Sequence, residues 1–138
     1  MITYSDLKEL TNIRLRDAET LIRMRQYSGA YYLSGYAIEC ALKACIAKKT
    51  RRYEFPDKNV VIHSYSHRPE ELVGVAGLKT QLNAQLQADK AFEINWSLVI
   101  QWSENSRYEK HNSREAKDLF LAITDPNHGV LKWIQQYW

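Results

Sequence analysis

Gly29 to Lys49 reads GAYYLSGYAIECALKACIAKK, and this stretch decides the fold. At helical spacing Tyr31, Gly35, Ile38, Leu42 and Cys45 form one stripe. Ala30, Leu33, Ala37, Ala41 and Ala44 form a second, and Tyr32, Tyr36, Glu39, Lys43 and Ile46 a third. Only the third carries charge. A helix apolar on nearly every side is either buried in a core or spans a membrane. Glu39 and Lys43 interrupt the run well short of the ~20 apolar residues a span needs. The stretch is therefore expected to be the central helix of a soluble all-α protein, with no membrane association.

The flanks support this. The chain has 138 residues, enough for one domain with a real core. It opens MITYSDLKEL, with no apolar leader, and a cytoplasmic location is expected. Cys40 and Cys45 lie five residues apart on different sides of one helix, so they are expected to stay free thiols. The net charge of +3 permits contact with nucleic acid without demanding it. Nine Tyr and four Trp suit gap-filling between helices or a dimer surface.

Upstream, Thr3 to Gln26 reads as a long amphipathic helix capped by Thr3 or Ser5, with Leu7, Leu10, Ile13, Ala18, Leu21 and Ile22 on its apolar side. Tyr27-Ser28-Gly29 is expected to be a short break that turns the central helix back antiparallel. Downstream, Pro56-Asp57-Lys58-Asn59 signals a turn, and Val60 to Ile62 is a brief apolar run suited to one helical turn. Pro69-Glu70-Glu71 opens another helix, weakened by Gly74 and Gly77, which Leu82 and Leu86 extend to about Ala88. Lys90 to Glu104 reads as a helix with Phe92, Trp96 and Val99 on one stripe and Leu98 and Trp102 on the next. A polar break follows from Asn105 to His111. Asn112 and Glu115 make a capping box for a helix with Ala116, Leu119, Phe120 and Ile123 inward, ended by Asp125-Pro126. A short helix over about Val130 to Tyr137 closes the chain. The expectation is a single all-α domain over residues 1–138, an up-and-down bundle of four to five main helices plus short ones.

The long helix, short turn and AYYLSGYAIECALKACIAKK together resemble the helix-pair core of the HEPN superfamily (higher eukaryotes and prokaryotes nucleotide-binding domains). The likeness lies in Tyr31, Tyr32, Tyr36, Ala37, Glu39, Leu42, Lys43 and Ala44. HSYSHRPEEL (His63 to Leu72) is similar to that family's middle segment, and Trp102 followed by Ser106-Arg107-Tyr108 to its later part. The resemblance implies a bundle that homodimerises through its long helices. It further implies either metal-independent endoribonuclease activity of toxin–antitoxin or defence type, or a non-catalytic module that binds nucleotide, RNA or a protein partner. A nucleotidyltransferase-like antitoxin is the partner the toxin reading brings with it. The family's nuclease motif is an arginine, four to six residues, then a histidine. Here Arg107-Tyr108-Glu109-Lys110-His111 has three, one fewer than the pattern.

On that resemblance Arg107 and His111 are the candidate catalytic pair. Histidine can take a 2′-hydroxyl proton near neutral pH, and the arginine fork can hold two phosphate oxygens. Lys110 and Arg114, with Tyr108 beside them, would contact RNA. Arg107, Lys110, His111 and Arg114 would share a face if the helix were continuous. Lys48, Lys49, Arg51 and Arg52, followed by Tyr53, form a second candidate phosphate strip; the alternative is lysines suited to a helix C-terminus and a solvated loop. Glu39 and Lys43, in favourable i, i+4 order, are supporting residues that could orient Arg107 or simply tie helices together. His63 and His67 have a spacing that zinc ligands can use, but no third ligand stands nearby, so neither a metal nor another cofactor is expected.

Overall fold

The computed structural model describes residues 2–50 and 55–138. Every regular element among them is helical, and no helix is long and apolar enough to cross a membrane. Helix α1 runs Tyr4–Arg23 and α2, the central helix, Tyr27–Lys49. Four shorter helices follow: α3 Lys58–His63, α4 Pro69–Val75, α5 Lys79–Ala88 and α6 Lys90–Val99. A 3-10 turn over Glu104–Tyr108 precedes α7, Ser113–Thr124, and α8, Val130–Gln135.

In α2 the residues from Ala37 to Leu42 are all buried, as are Ala44, Cys45 and Ile46. Six consecutive buried residues exceed one turn, so neighbours are needed on every side. Helices α1, α4, α7 and α8 and the 3-10 turn supply them. Tyr32, Tyr36 and Lys43 of the third stripe are only partly covered, while Glu39 between them is buried. Helix α1 lies antiparallel to α2. Leu21 sits against Gly29, Arg14 shares a groove with Tyr36, and Leu7 shares one with Lys43 and Ala47. Phe92, Trp96 and Val99 of α6, Leu119 and Ile123 of α7, and Trp133 and Ile134 of α8 complete the core.

Of the two expected cap candidates, Thr3 and not Ser5 caps α1, in a full capping box with Asp6. Three other helix ends differ from expectation. At the far end of α1 the break is not Tyr27-Ser28-Gly29, which form the first turn of α2. It falls at Met24–Gln26. Gln26 N–H donates to the Leu21 carbonyl and Arg25 N–H to that of Ile22, at 2.8 and 3.0 Å, with Arg25 itself at φ 59°. This is the Schellman closure, in which the left-handed position is usually glycine. An arginine fills it here, so the stop carries no glycine signal in the sequence.

The same closure ends α4. Gly77 N–H, at φ 73°, donates to the Gly74 carbonyl, and Leu78 N–H donates to that of Val73, both at 3.0 Å. Leu78 and Val73 are both buried, as the motif's apolar contact requires. Gly77 therefore ends a helix whose apolar pattern runs on to Ala88, and α5 starts afresh. Helix α6 also stops five residues early, at Val99. The cause is tertiary. The Trp102 indole lies flat against Gly35, where an added Cβ would sit 2.3 Å from the ring, and Trp102 Nε1 donates to the Tyr32 carbonyl at 3.2 Å. The two cysteines are free and buried, as expected.

Candidate functional site

The polar segment after α6 is fixed to the first turns of α2 by two contacts. The first is Trp102 on Gly35 and Tyr32. The second is Ser28, whose Oγ accepts the His111 backbone N–H at 2.9 Å. Residues Glu109 to Asn112 thus hang between the 3-10 turn and the N-terminus of α7. Asn112 caps that helix, accepting from Glu115 N–H, while the Glu115 carboxylate accepts from Asn112 N–H. The break at Asn112 removes the continuous face that would carry Arg107, Lys110, His111 and Arg114 together.

His111 is enclosed. Its side chain is 7% exposed, and its ring lies on Tyr31 with centroids 3.7 Å apart. Nδ1 donates to Glu115 Oε2 at 2.9 Å. Nε2 is buried and 3.5 Å from Glu109 Oε2, without a hydrogen-bond partner among the described residues. The bond from His111, then that from Asn112, holds the Glu115 carboxyl below the usual carboxylate range. Burial, then the charges of Glu109 and Glu115, push the Tyr31 phenol up.

The cations around it are open. Arg107 is exposed, its guanidinium 4.9 Å over the ring of Tyr108, which is exposed too. Lys110 is exposed, and Arg114, 89% exposed, reaches only a loose contact with Asp118 at 3.7 Å.

The second basic cluster lies elsewhere. Ser28 and Lys48 are twenty residues apart on α2, which separates the two clusters by about 30 Å along the helix. Lys48 donates to the Trp138 carbonyl at 3.1 Å, and the Lys49 ammonium lies over Gly77. These two lysines diverge and do not form a strip. Arg51, Arg52 and Tyr53 lie outside the described residues.

Glu39 does not orient Arg107. Its side chain is 4% exposed, and Oε1 accepts from Lys43 Nζ at 2.9 Å and from His67 Nδ1 at 2.8 Å. Oε2 is buried without a hydrogen-bond partner among the described residues. Spacing pairs His67 with His63, yet the two do not share a helix. His63 ends α3 and faces Glu71 at 2.8 Å. No group of three ligand-type side chains among the described residues could hold a metal ion. Sequence spacing could not join His67 to Glu39, which stands 28 positions earlier in a different element.

Two long antiparallel helices, a polar segment pinned to the start of the second, and a core closed by α6 to α8 define a helical-bundle domain of recognisable type. The family model for the HEPN domain matches residues 4–122, most of the chain, and the chain belongs to that family. No curated protein and no solved structure gives a match.

Proposed function

We propose that this protein is an RNA-directed HEPN module that works as a homodimer, with the segment from Arg107 to Arg114 as its phosphate-contacting surface. The observation that carries this reading is the division of labour within the segment. His111 is turned inward and fastens the backbone to α2, which leaves Arg107, Lys110 and Arg114 outward and free of tight ion pairs among the described residues. Exposed cations beside an exposed tyrosine suit a single-stranded backbone with a base stacked on the ring. Three exposed cations bind without strong sequence preference, because phosphate contacts position a strand and do not read it.

The enclosure of His111 favours binding over cleavage at this position. A general base must reach the proton it takes. One nitrogen of His111 is held by Glu115, the other is buried beside Glu109, and one ring face is covered by Tyr31. Cleavage by the Arg107–His111 pair, in a toxin or defence setting, requires the segment to open. Dimerisation has apolar surface available in a groove of about 500 Å³ between α1, the end of α2 and α3, lined by Ile2, Leu7, Ile46, Val60, Val61 and Tyr65.

The test is fluorescence anisotropy with a labelled single-stranded RNA over a salt series. Neutralising Arg107, Lys110 and Arg114 together should weaken binding and reduce the salt slope by roughly 2, at about 0.7 for each phosphate no longer neutralised. Unchanged affinity and slope would remove this surface from the reading. Light scattering that shows a monomer at micromolar concentration would remove the dimer.

A further inference from the structure

The chain has four histidines, and each one places Nδ1 on a carboxylate: His63 on Glu71, His67 on Glu39, His111 on Glu115 and His128 on Asp89, all at 2.7–2.9 Å. They differ in which partner is buried. At His111 the imidazole is enclosed and its carboxylates are open. At His63 both partners are open. At His67 the order is reversed: the carboxylate of Glu39 is 4% exposed, whereas the imidazole is 46% exposed. Asp89 is more accessible than Glu39 and is also occupied as the cap of α6.

A buried acid that orients an open imidazole is the arrangement of a positioned general base. A carboxylate can only accept, so the Nδ1 of His67 carries the hydrogen. In the neutral ring Nε2 is then the lone-pair nitrogen. Glu39 is itself fixed on the rigid central helix, and Lys43, one turn along, shares its Oε1. Lys43 is a cation that shares the Glu39 oxygen with the imidazole, whereas the guanidinium of Arg68, next in the chain, donates to Glu70 Oε1 from two nitrogens at 3.1 and 2.8 Å. A base with a cation beside it is what a phosphodiester with an adjacent hydroxyl requires.

The structure assigns to His67, oriented by Glu39, the role of general base in cleaving single-stranded RNA. Nε2 takes the proton of a ribose 2′-hydroxyl, and the 2′-oxygen forms a bond to the neighbouring phosphorus. The bond from phosphorus to the 5′-oxygen breaks, and that oxygen takes a proton from water. The products are a 2′,3′-cyclic phosphate and a 5′-hydroxyl, and the imidazolium returns its proton to solvent. Lys43 is the cation beside the charge that develops on the phosphate. This role rests on the RNA-directed reading above and adds to it a catalytic residue outside the Arg107–His111 pair.

The experiment uses the full chain with a labelled mixed-sequence RNA oligonucleotide in EDTA, beside the same oligonucleotide made as DNA. The expected result is cleavage of the RNA alone, with cyclic phosphate ends. His67→Ala should lower the rate by about 100-fold or more, and imidazole added to the buffer should restore part of it, which a purely structural histidine would not allow. Glu39→Gln should also lower the rate and move the pH profile, while His63→Ala should leave it unchanged. Circular dichroism on each variant separates loss of chemistry from loss of fold. RNA that is bound but left intact by the wild-type protein overturns the role of His67 and leaves the binding reading standing. Cleavage that survives His67→Ala but is abolished in His111→Ala overturns it as well. RNA neither bound nor cut overturns both.

Discussion

The ring of His111 lies on the ring of Tyr31 with the planes 16° from parallel, so a residue from the segment before α7 is stacked on the second turn of α2. Offset stacking contributes beyond the area it buries. Here it acts together with the Nδ1 bond to Glu115 and the backbone bond to Ser28. His111→Ala removes the ring and the bond to Glu115 at once. A loss of roughly 1–3 kcal/mol in unfolding free energy is expected, the range for a buried hydrogen-bonded side chain. Urea unfolding of the variant checks it; a change near zero would mean that the stacked ring does not hold the segment.

Gly35 is required by Trp102. A methyl group there would meet the indole at 2.3 Å, and the ring cannot retreat without giving up its bond to the Tyr32 carbonyl. Gly35→Ala is favoured by helix propensity, by up to about 1 kcal/mol. Overpacking costs about 1–3 kcal/mol and should win. The variant is expected to be less stable than wild type, with the tryptophan fluorescence shifted towards that of a solvent-exposed indole. A more stable Gly35→Ala protein would contradict the packing.

The bond between Asp89 and His128 ties the start of α6 to the loop before α8 at 2.7 Å. It holds the Asp89 carboxyl below its ordinary value, and Asp89 in turn raises the His128 imidazole. The signs are opposite. The histidine's contribution is complete below its ordinary pKa and is lost as pH rises through the raised value. The aspartate's contribution is complete above its ordinary pKa and is lost as pH falls through the lowered one. Thermal melts of wild type and His128→Gln should therefore differ most at about pH 5–6, between the two ordinary values. The difference should shrink on either side. A difference that stays constant from acid to alkaline pH would show that the two groups are not ionised as a pair.

Burial pushes the thiols of both Cys40 and Cys45 up to about 11. The thiolate is the reactive form. Neither cysteine should react with a disulfide reagent at about pH 8 while the protein is folded, and both should react promptly in denaturant. Fast labelling of the native protein would show that α2 is less enclosed than its packing indicates.

The helical class is legible in Gly29 to Lys49 because a helix with three apolar stripes leaves few alternatives to a surrounding bundle. The cap at Asn112 is legible because a capping box is local, and the start of α1 is legible to within Thr3 or Ser5 for the same reason. Helix ends set by distant contacts are not. The stop at Arg25 uses a residue without the usual glycine signature, and the early end of α6 depends on Trp102 meeting Gly35, 67 positions away.

The site divides in the same way. Sequence alone names Arg107, Lys110, His111 and Arg114 as a local group, since they lie within eight residues of one another. It cannot say that His111 turns inward and the cations outward, because burial is decided by what packs across from the segment, here Tyr31 and Ser28. Nor can it join Glu39 to His67, or separate the lysines at the end of α2 from the cations near its start. What sequence determined by itself is the all-helical class and the central place of α2, which follow from local periodicity and burial demand. What only the tertiary structure decided is which histidine is open, which carboxylate is buried and which charges are neighbours, because those depend on distances between helices that no spacing along the chain encodes.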